Sequence, residues 1–323
     1  MMKKALVILG PTATGKTDLG LMLAKKFNGE LISADSRQVY KGLDIGTGKL
    51  PGDEVDVKKG QGFWEMDEVK VWMYDVVDPQ VRYTVKDYAE QAEKIIGDIL
   101  ERGKLPIIVG GTGLYIRALL EGLPNLEVPV DEKLRGELED LSLLELQEKL
   151  ISLSPTRFNE LNESDRKNPR RLLRSIELVH MYPYKRPIKN LKFKIENYDL
   201  LKVGLTAPRD LVKKRIFNRL ISRIQQGMIK EAEELHQEGL SFQRMKELGL
   251  EYGMLAKLLE GEINQDQFVE QLSVKIYRYA KRQMTWFKKV QDILWFDTTL
   301  KDVANQVEKA VSAWYDSSDD QTD

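Results

Sequence analysis

One segment near the start of the chain has residues suited to binding phosphates. Residues 10–17 read Gly-Pro-Thr-Ala-Thr-Gly-Lys-Thr and match the pattern G-x-x-x-x-G-K-[ST]. In such a loop, backbone N–H groups converge on an anion at a helix N-terminus, the lysine reaches the outer phosphates and the last hydroxyl helps to hold Mg²⁺. We expect Thr17 to bind Mg²⁺. The residues expected to hold a diphosphate are Gly10, Pro11, Thr12, Ala13, Thr14, Gly15, Lys16 and Thr17.

Two further segments place polar residues after apolar runs. Asp35 follows the run 30–34, and Gly-Gly-Thr-Gly at 110–113, with Thr112, follows the run 104–109. The carboxyl ends of parallel strands line the ligand crevice of an open sheet, so both segments should lie beside residues 10–17. Asp35 could act as a general base or bind Mg²⁺ through water, and Thr112 could donate to an anion. Alternatively, Asp35 caps the next segment and the glycines allow tight strand-to-helix packing.

The elements that must position these residues predict an α/β fold. The run 5–9 is short, apolar and β-branched, which is typical of a buried parallel strand. Residues 18–27 are predicted to form a helix whose apolar side chains lie on one face. We predict a P-loop NTPase-like parallel sheet flanked by helices. Further strands are predicted at 30–34, 69–74, 104–109, 200–205 and 293–297, and further helices at 84–102, 208–227 and 265–290.

The domain organisation follows from an interruption of this alternation. Residues 124–187 read as helices only, which predicts an inserted all-helical lobe. Residues 1–123 and 188–313 would then form the phosphate-binding core with its C-terminal helices. Residues 314–323 read as an acidic disordered tail.

Composition limits the chemistry. The 323 residues include no cysteine, which excludes disulfides, thiolate metal sites and a cysteine nucleophile. Two histidines are too few for a histidine-rich metal site, whereas an oxygen-bound Mg²⁺ suits this composition. No apolar run is long enough for a signal peptide or a membrane span. We therefore expect a cytoplasmic protein, a monomer, with no membrane partner.

Basic residues are concentrated in particular stretches, although the net charge is −1. Residues 185–223 hold twelve Lys or Arg against three acids, and residues 275–289 hold six against none. Residues 277–287 interleave cations with aromatic side chains, and Arg170 and Arg174 share one helix face; both patterns suit RNA. The alternatives are solvated helix faces and aromatic residues that belong to the core.

Several blocks together resemble the tRNA dimethylallyltransferases, also called tRNA isopentenyltransferases. The resemblance runs in order from residue 4 to about residue 297. A single phosphate loop would be weak support, whereas several long blocks in order are specific. The blocks are residues 10–17, 35–49, 110–115, 209–227, 248–252 and 279–287.

The resemblance implies a reaction and roles for residues. The loop would hold dimethylallyl diphosphate, and the prenyl group would go to N6 of the adenosine 3′ of the anticodon, in tRNAs that read codons starting with U. Asp35 would be the general base, Thr112 would contact the leaving diphosphate, and Lys16 with Arg215 or Arg219 would neutralise it. The residues expected to contact the anticodon stem-loop of the tRNA are Asp35, Ser36, Arg37, Gln38, Thr112, Arg170, Arg171, Leu172, Leu173, Arg174, Lys281, Arg282 and Gln283.

Two stretches depart from the family pattern. Residues 70–75 read Lys-Val-Trp-Met-Tyr-Asp where a His-His pair is usual, after extra residues around 53–68. Residues 248–252 read Leu-Gly-Leu-Glu-Tyr where Ile-Gly-Tyr-Lys-Glu is usual. These departures leave the selectivity for the prenyl donor open.

Two other functions fit parts of the chain. The first hundred residues would suit a P-loop kinase, and the basic stretches an RNA-binding NTPase. Strand 107–109 ends in glycine rather than in the aspartate that usually organises Mg²⁺ and water in ATPases, which disfavours ATP hydrolysis. A kinase would consume ATP, whereas the transferase would consume dimethylallyl diphosphate and need no nucleotide.

Overall fold

A computed structural model describes residues 3–50, 55–182 and 198–317. The chain divides into two compact units. The larger unit comprises Met1–Leu120 and Phe193–Asp323, and the smaller unit comprises Glu121–Lys192. The lobe predicted at 124–187 falls within the smaller unit, and its last residues, 183–187, lie outside the described residues. Its role in binding tRNA stays a prediction.

The strands of the described residues form a single mixed sheet in the larger unit. Its order is β3-β4-β5-β2-β6-β1-β7-β8, in which β3, β4 and β5 pair antiparallel and all other neighbours pair parallel. The strands are β1 (Lys3–Leu9), β2 (Gly29–Ala34), β3 (Val57–Lys59), β4 (Phe63–Met66), β5 (Val69–Trp72), β6 (Leu105–Gly110), β7 (Tyr198–Thr206) and β8 (Ile293–Asp297).

Helices flank this sheet and build the smaller unit. In the described residues they are α1 (Lys16–Lys26), α2 (Val85–Glu101), α3 (Gly113–Glu121), α4 (Glu132–Leu138), α5 (Leu143–Leu153), α6 (Pro155–Glu160), α7 (Glu163–Arg166), α8 (Pro169–Met181), α9 (Arg209–Gln225), α10 (Met228–Gln237), α11 (Phe242–Leu248), α12 (Leu250–Leu259), α13 (Gln265–Phe287) and α14 (Val303–Asp316). Helix α14 continues into the tail predicted from residue 314, and residues 318–323 lie outside the described residues.

The central strands confirm the predicted fold class. Every residue of β2 and β6 is buried, as is the apolar run of β1, because helices cover both faces of the parallel part of the sheet. The helix predicted at 84–102 is α2, and it begins with a capping box in which Thr84 and Asp87 each satisfy the other's backbone N–H. The strand predicted at 69–74 ends at Trp72, since Met73 takes a left-handed φ of 69°.

The antiparallel extension, β3 and β4, was not predicted from the sequence. It occupies the stretch around 53–68 that departs from the family pattern, of which residues 51–54 are not described. Trp64 of β4 is fully buried and packs edge-on against Tyr74, with ring centroids 5.5 Å apart. The extension therefore adds to the core of the larger unit.

The smaller unit has its own core. Helices α4, α5 and α8 enclose a cluster of buried aliphatic side chains, to which Leu173 and Phe158 add from the edge. Beside it, the fully buried Glu177 pairs with Arg135 and, at 3.0 Å, with Arg174. The buried aliphatic residues are Leu134, Leu138, Leu146, Leu150, Leu172 and Ile176.

Glu30 in β2 is the shared acceptor of a cluster of charged and polar side chains. Its carboxylate accepts hydrogen bonds from Arg102 (2.6 and 2.8 Å), Lys104 (2.9 Å) and Trp72 (2.7 Å). Burial by itself raises the pKa of Glu30, but the hydrogen bonds from Arg102, Lys104 and Trp72 outweigh it and lower the pKa to about 2.

We expect Glu30→Gln to destabilise the protein at neutral pH. A pKa lowered from 4.5 to about 2 corresponds to ~3 kcal/mol of folding free energy. This contribution is present above the unfolded-state pKa and is lost as the pH falls through the folded-state value. Urea unfolding of both proteins should therefore show a difference that is full at about pH 7 and decreases below about pH 4.5. A difference that does not change with pH would contradict this assignment.

Candidate active site

One cavity of about 850 Å³ opens at the carboxyl ends of β1, β2 and β6. Its walls include the loop at residues 12–17, Asp35 after β2, and Gly110 and Gly111 at the end of β6. Helices α9, α12 and α13 contribute further polar side chains. The structure therefore brings the phosphate loop and Asp35 to one site, as the parallel topology predicts.

The phosphate loop, residues 10–17, has a backbone that only certain residues adopt easily. Ala13 and Gly15 have φ values of 64° and 80°, and Gly15 caps helix α1. A Cβ at Gly10 would overlap the Leu205 carbonyl oxygen, so glycine is required there. The Thr14 hydroxyl donates to the Pro11 carbonyl at 2.8 Å. These left-handed turns form the concave amide surface that binds anions.

Lys16 lies in the cavity, and no acidic side chain among the described residues hydrogen-bonds it. Its Nζ donates to the Pro11 carbonyl at 2.7 Å. Burial, together with repulsion from Arg219, lowers the pKa of Lys16 to about 7, although attraction to Asp35 opposes this change. An anion bound at the loop would favour the charged form of Lys16.

Three arginines of α9 line the cavity, and their partners distinguish them. Arg215 donates to the Thr298 hydroxyl at 2.8 Å, and Arg223 donates to the Gly46 carbonyl at 2.8 Å. Arg219 makes no hydrogen bond or ion pair within residues 3–50, 55–182 and 198–317. Of the two predicted clamp residues, Arg219 is therefore the one with an uncommitted guanidinium.

Asp35 turns its carboxylate towards the cavity. One oxygen accepts the backbone N–H of Arg37 at 2.9 Å, which forms a turn after β2 instead of capping a helix. The other oxygen accepts no hydrogen bond from the described part of the chain. Arg37 itself pairs with Glu251 at 3.1 Å and lies over the Tyr279 ring, 5.1 Å from its centroid. Asp35 thus keeps an acceptor for a substrate proton.

The structure gives Thr112 a different place from the one predicted. Its hydroxyl accepts the Ser36 N–H at 3.1 Å, and the residue is not part of the cavity wall. This hydrogen bond joins the loops after β2 and β6.

Gln283 also differs from the prediction that it contacts tRNA. The side chain is buried, with 6% of its surface exposed. Its Nε2 donates to the Gly111 carbonyl at 2.8 Å, and its Oε1 accepts the Thr12 N–H at 2.9 Å. A Cβ at Gly111 would overlap this amide. Gln283 therefore bridges the phosphate loop to the end of β6, while its neighbours Lys281 and Arg282 are exposed.

Two more predicted residues lie beside Asp35. Gln38 lines the cavity, and its Oε1 accepts the Ser33 hydroxyl at 2.7 Å. The backbone N–H of Ser36 donates to the Thr112 hydroxyl. Whether these residues contact tRNA stays a prediction.

The arginines of α8 are mostly engaged within the smaller unit. Arg174 donates to the carbonyls of Val128 (2.7 Å) and Asn125 (3.0 Å), and Arg171 pairs with Asp165. Arg170 is exposed, with no partner in the described residues. Leu172 is fully buried and Leu173 packs against the same core. The prediction that Leu172 contacts tRNA is therefore wrong for this conformation, because apolar packing at helical spacing takes that side chain inward.

A carboxylate that sequence reasoning missed holds the loop at residues 41–50, which forms part of the cavity wall. Glu231 of α10 accepts the N–H groups of Asp44 (2.9 Å), Ile45 (2.6 Å) and Gly46 (2.9 Å), and also the Tyr252 hydroxyl (2.6 Å). These partners lie far apart in the sequence, so no local pattern indicates the contact.

Family profiles match almost the whole chain. The profile described as IPP transferase matches residues 38–290, and the one described as isopentenyl transferase matches residues 3–61. The chain belongs to the IPP transferase family. Within the described residues of this family member, no helix is both long and apolar enough to cross a membrane.

Named relatives of this chain support the family assignment. It is 39% identical to tRNA dimethylallyltransferase 1 of Geotalea daltonii over 292 residues, which cover 90% of the chain and 88% of the relative. It is 40% identical to tRNA dimethylallyltransferase 2 of Treponema denticola over 290 residues, which cover 89% and 92%.

Solved structures share the fold. The tRNA isopentenylpyrophosphate transferase of Bacillus halodurans superposes with a TM-score of 0.68 at 30% identity, covering 98% of this chain and 97% of that one. A eukaryotic dimethylallyltransferase described as acting on tRNA superposes with a TM-score of 0.75 at 25% identity, covering 98% and 80%.

We expect Gln283→Leu to weaken binding of inorganic diphosphate. The substitution leaves the Thr12 N–H and the Gly111 carbonyl without their buried partner, so the loop loses its fixed geometry. Affinity measured by calorimetry should fall roughly tenfold, and the free energy of unfolding by ~2 kcal/mol. Gln271→Leu, on the exposed face of the same helix, is the matched control. Unchanged diphosphate affinity in Gln283→Leu would show that the bridge does not position the loop.

Proposed function

We propose that the protein transfers a dimethylallyl group from dimethylallyl diphosphate to N6 of the adenosine 3′ of the anticodon, in tRNAs that read codons starting with U. The observation that carries this proposal is that one cavity holds two cations, neither with an acidic hydrogen-bond partner in the described residues, and a carboxylate that keeps one oxygen free beside its ion pair with Arg37. Lys16 and Arg219 suit a diphosphate, and Asp35 suits a proton. The names of the relatives and the structure described as acting on tRNA support the same reaction.

Both the nucleophile and the leaving group of this reaction require assistance. The exocyclic amine of adenosine is a weak nucleophile, because its lone pair is delocalised into the ring. As N6 attacks C1 of the prenyl group, Asp35 accepts the N6 proton, and general bases of this kind contribute roughly 10²–10⁴-fold. The C1–O bond breaks and its electron pair leaves with the diphosphate. The loop amides, Lys16 and Arg219 neutralise this charge.

The partners of the α9 arginines decide their roles in this proposal. Arg219 is the diphosphate clamp because its guanidinium has no other partner in the described residues. Arg215 is held by the Thr298 hydroxyl and lines the same cavity, so it supports the shape and the potential of the site. Thr112 acts one step away, by fixing the backbone after Asp35.

The oxygen atoms around the loop fit a hard cation. The Thr17 hydroxyl has no hydrogen-bond partner in the described residues, and the carboxylates of Asp18 and Asp35 line the same cavity. The described residues contain no cluster of three or more His, Cys, Asp or Glu residues arranged to bind a metal. Mg²⁺ would be held by Thr17, by Asp35 through water and by substrate oxygens, and would neutralise diphosphate charge.

The proposed binding of tRNA rests on exposed cationic side chains. Lys281 and Arg282 lie on the exposed side of α13, near Tyr277 and Tyr279, and Arg170 is exposed on α8. Such cations bind phosphates, and the adjacent aromatic rings suit unstacked bases. The target adenosine must leave its stack to reach the cavity, which costs a few kcal/mol.

A donor-exchange assay tests the function. Purified protein, Mg²⁺ and unmodified tRNA are incubated with either dimethylallyl diphosphate or ATP, and the nucleosides are analysed by mass spectrometry. We expect a prenylated adenosine with dimethylallyl diphosphate alone. ATP turnover without that product would instead support a kinase or an RNA-binding NTPase.

Asp35→Asn should slow the chemical step and leave substrate binding intact. The amide keeps the size of the side chain but cannot accept the N6 proton, so kcat should fall roughly 10²–10⁴-fold. Filter binding should give an unchanged Kd for tRNA. A kcat near that of the unsubstituted enzyme would exclude Asp35 as the base.

Two arginine variants separate the clamp from its neighbour. Arg219→Leu removes a charged hydrogen bond to diphosphate and should raise the KM for the donor by roughly 10- to 100-fold. Arg215→Leu should have a smaller effect, since that guanidinium is bound to Thr298. The reverse order in steady-state kinetics would assign the clamp to Arg215.

A further inference from the structure

Tyr74 presents a polar group to the cavity that the reaction has not used. The residue follows β5, and only 2% of its surface is exposed. Its ring packs against Trp64 in the core, while the residue forms part of the cavity wall. Its hydroxyl has no hydrogen-bond partner within residues 3–50, 55–182 and 198–317. Unlike the hydroxyl oxygen of Tyr88, that of Tyr74 is not fully buried, so it is open to the cavity and can donate to a ligand there.

The backbone around Tyr74 is held in a costly conformation. Met73 and Asp75, on either side, have φ values of 69° and 54°, in the left-handed region that residues with a Cβ seldom adopt. The side chain of Asp75 is fixed by Lys49 Nζ at 2.5 Å and by Trp64 Nε1 at 2.6 Å. Such strain persists only where the surroundings enforce it, and it is concentrated at ligand sites. Here it fixes the position of the Tyr74 ring at the cavity.

The charges around the Tyr74 hydroxyl belong to the reaction site. Burial raises the pKa of Tyr74, Asp35 adds to this effect and Arg219 opposes it, with smaller contributions from Asp75 and Asp18. The hydroxyl therefore stays protonated at neutral pH and can donate. Its surroundings include both the proposed base and the proposed diphosphate clamp.

Other buried tyrosines differ from Tyr74 in a useful way. The buried Tyr252 donates to Glu231, and the half-buried Tyr83 donates to Gln91. The Tyr88 hydroxyl also lacks a partner in the part of the chain that the structure describes, but Tyr88 stacks on Tyr115 away from the cavity wall. Tyr88 is therefore a matched control: it is buried and unpaired, but it is not at the site.

We propose that Tyr74 is a donor-binding residue whose hydroxyl donates a hydrogen bond to an oxygen of the bound diphosphate. Diphosphate oxygens are the acceptors that Lys16 and Arg219 would draw into this part of the cavity. The prenyl chain offers no acceptor, and the N6 amine gives its proton to Asp35. The role in transfer rests on the proposed function, whereas the diphosphate contact itself does not. Tyr74 also lies in the stretch 70–75, where the chain departs from the family pattern.

Binding of inorganic diphosphate tests the contact directly. Calorimetric titrations with Mg²⁺ and inorganic diphosphate compare the unsubstituted protein with Tyr74→Phe and Tyr88→Phe. Tyr74→Phe removes one oxygen and keeps the ring, so its Kd for diphosphate should rise roughly five- to tenfold with an unchanged thermal midpoint. Tyr88→Phe should leave the Kd unchanged. Equal affinities for all three proteins would overturn the proposal.

Steady-state kinetics add a second readout. Tyr74→Phe should raise the KM for dimethylallyl diphosphate and leave the KM for tRNA unchanged. A change confined to the KM for tRNA would place the hydroxyl on the nucleobase and overturn the diphosphate contact. Diphosphate binding needs neither tRNA nor turnover. A failure of the transferase assay would therefore count against the proposed function, while the calorimetric titrations would still test the contact between Tyr74 and diphosphate.

Discussion

The convergence of two cationic side chains and the phosphate-loop amides on one cavity is the constraint on which the site depends. Lys16 and Arg219 are close enough that repulsion adds to burial in lowering the pKa of Lys16 to about 7. Protein stability alone would not favour such an arrangement, and a bound anion relieves it. The phosphate loop adds backbone amides to the same point, so a diphosphate is the ligand that satisfies the greatest number of these groups at once.

Distant parts of the chain keep this arrangement in place. Gln283 of α13 bridges the phosphate loop to the end of β6, and Glu231 of α10 holds the loop at residues 41–50. Arg37, beside Asp35, is fixed by Glu251 of α12. The N-terminal strands provide the loops, while helices from the C-terminal part set their geometry.

Local patterns made much of the fold predictable. The phosphate loop, the buried strand after Lys4 and the capping box at Thr84 depend on residues within a few positions of each other, so the sequence shows them directly. Contacts such as Gln283 with Thr12 join residues 271 positions apart, and no local spacing indicates them. Strands β3 and β4 were not predicted because they are short. Leu172 was assigned to the tRNA contact because the arginines around it made the segment look like a binding surface, whereas its side chain lies in the core of the smaller unit.

The most direct test of the account is a crystal structure with Mg²⁺ and a slowly reacting thio analogue of dimethylallyl diphosphate. We expect the diphosphate to lie on the amides of residues 10–17, between Lys16 and Arg219, with C1 facing the Asp35 carboxylate. A diphosphate bound away from Lys16, or an Asp35 side chain turned away from C1, would contradict it.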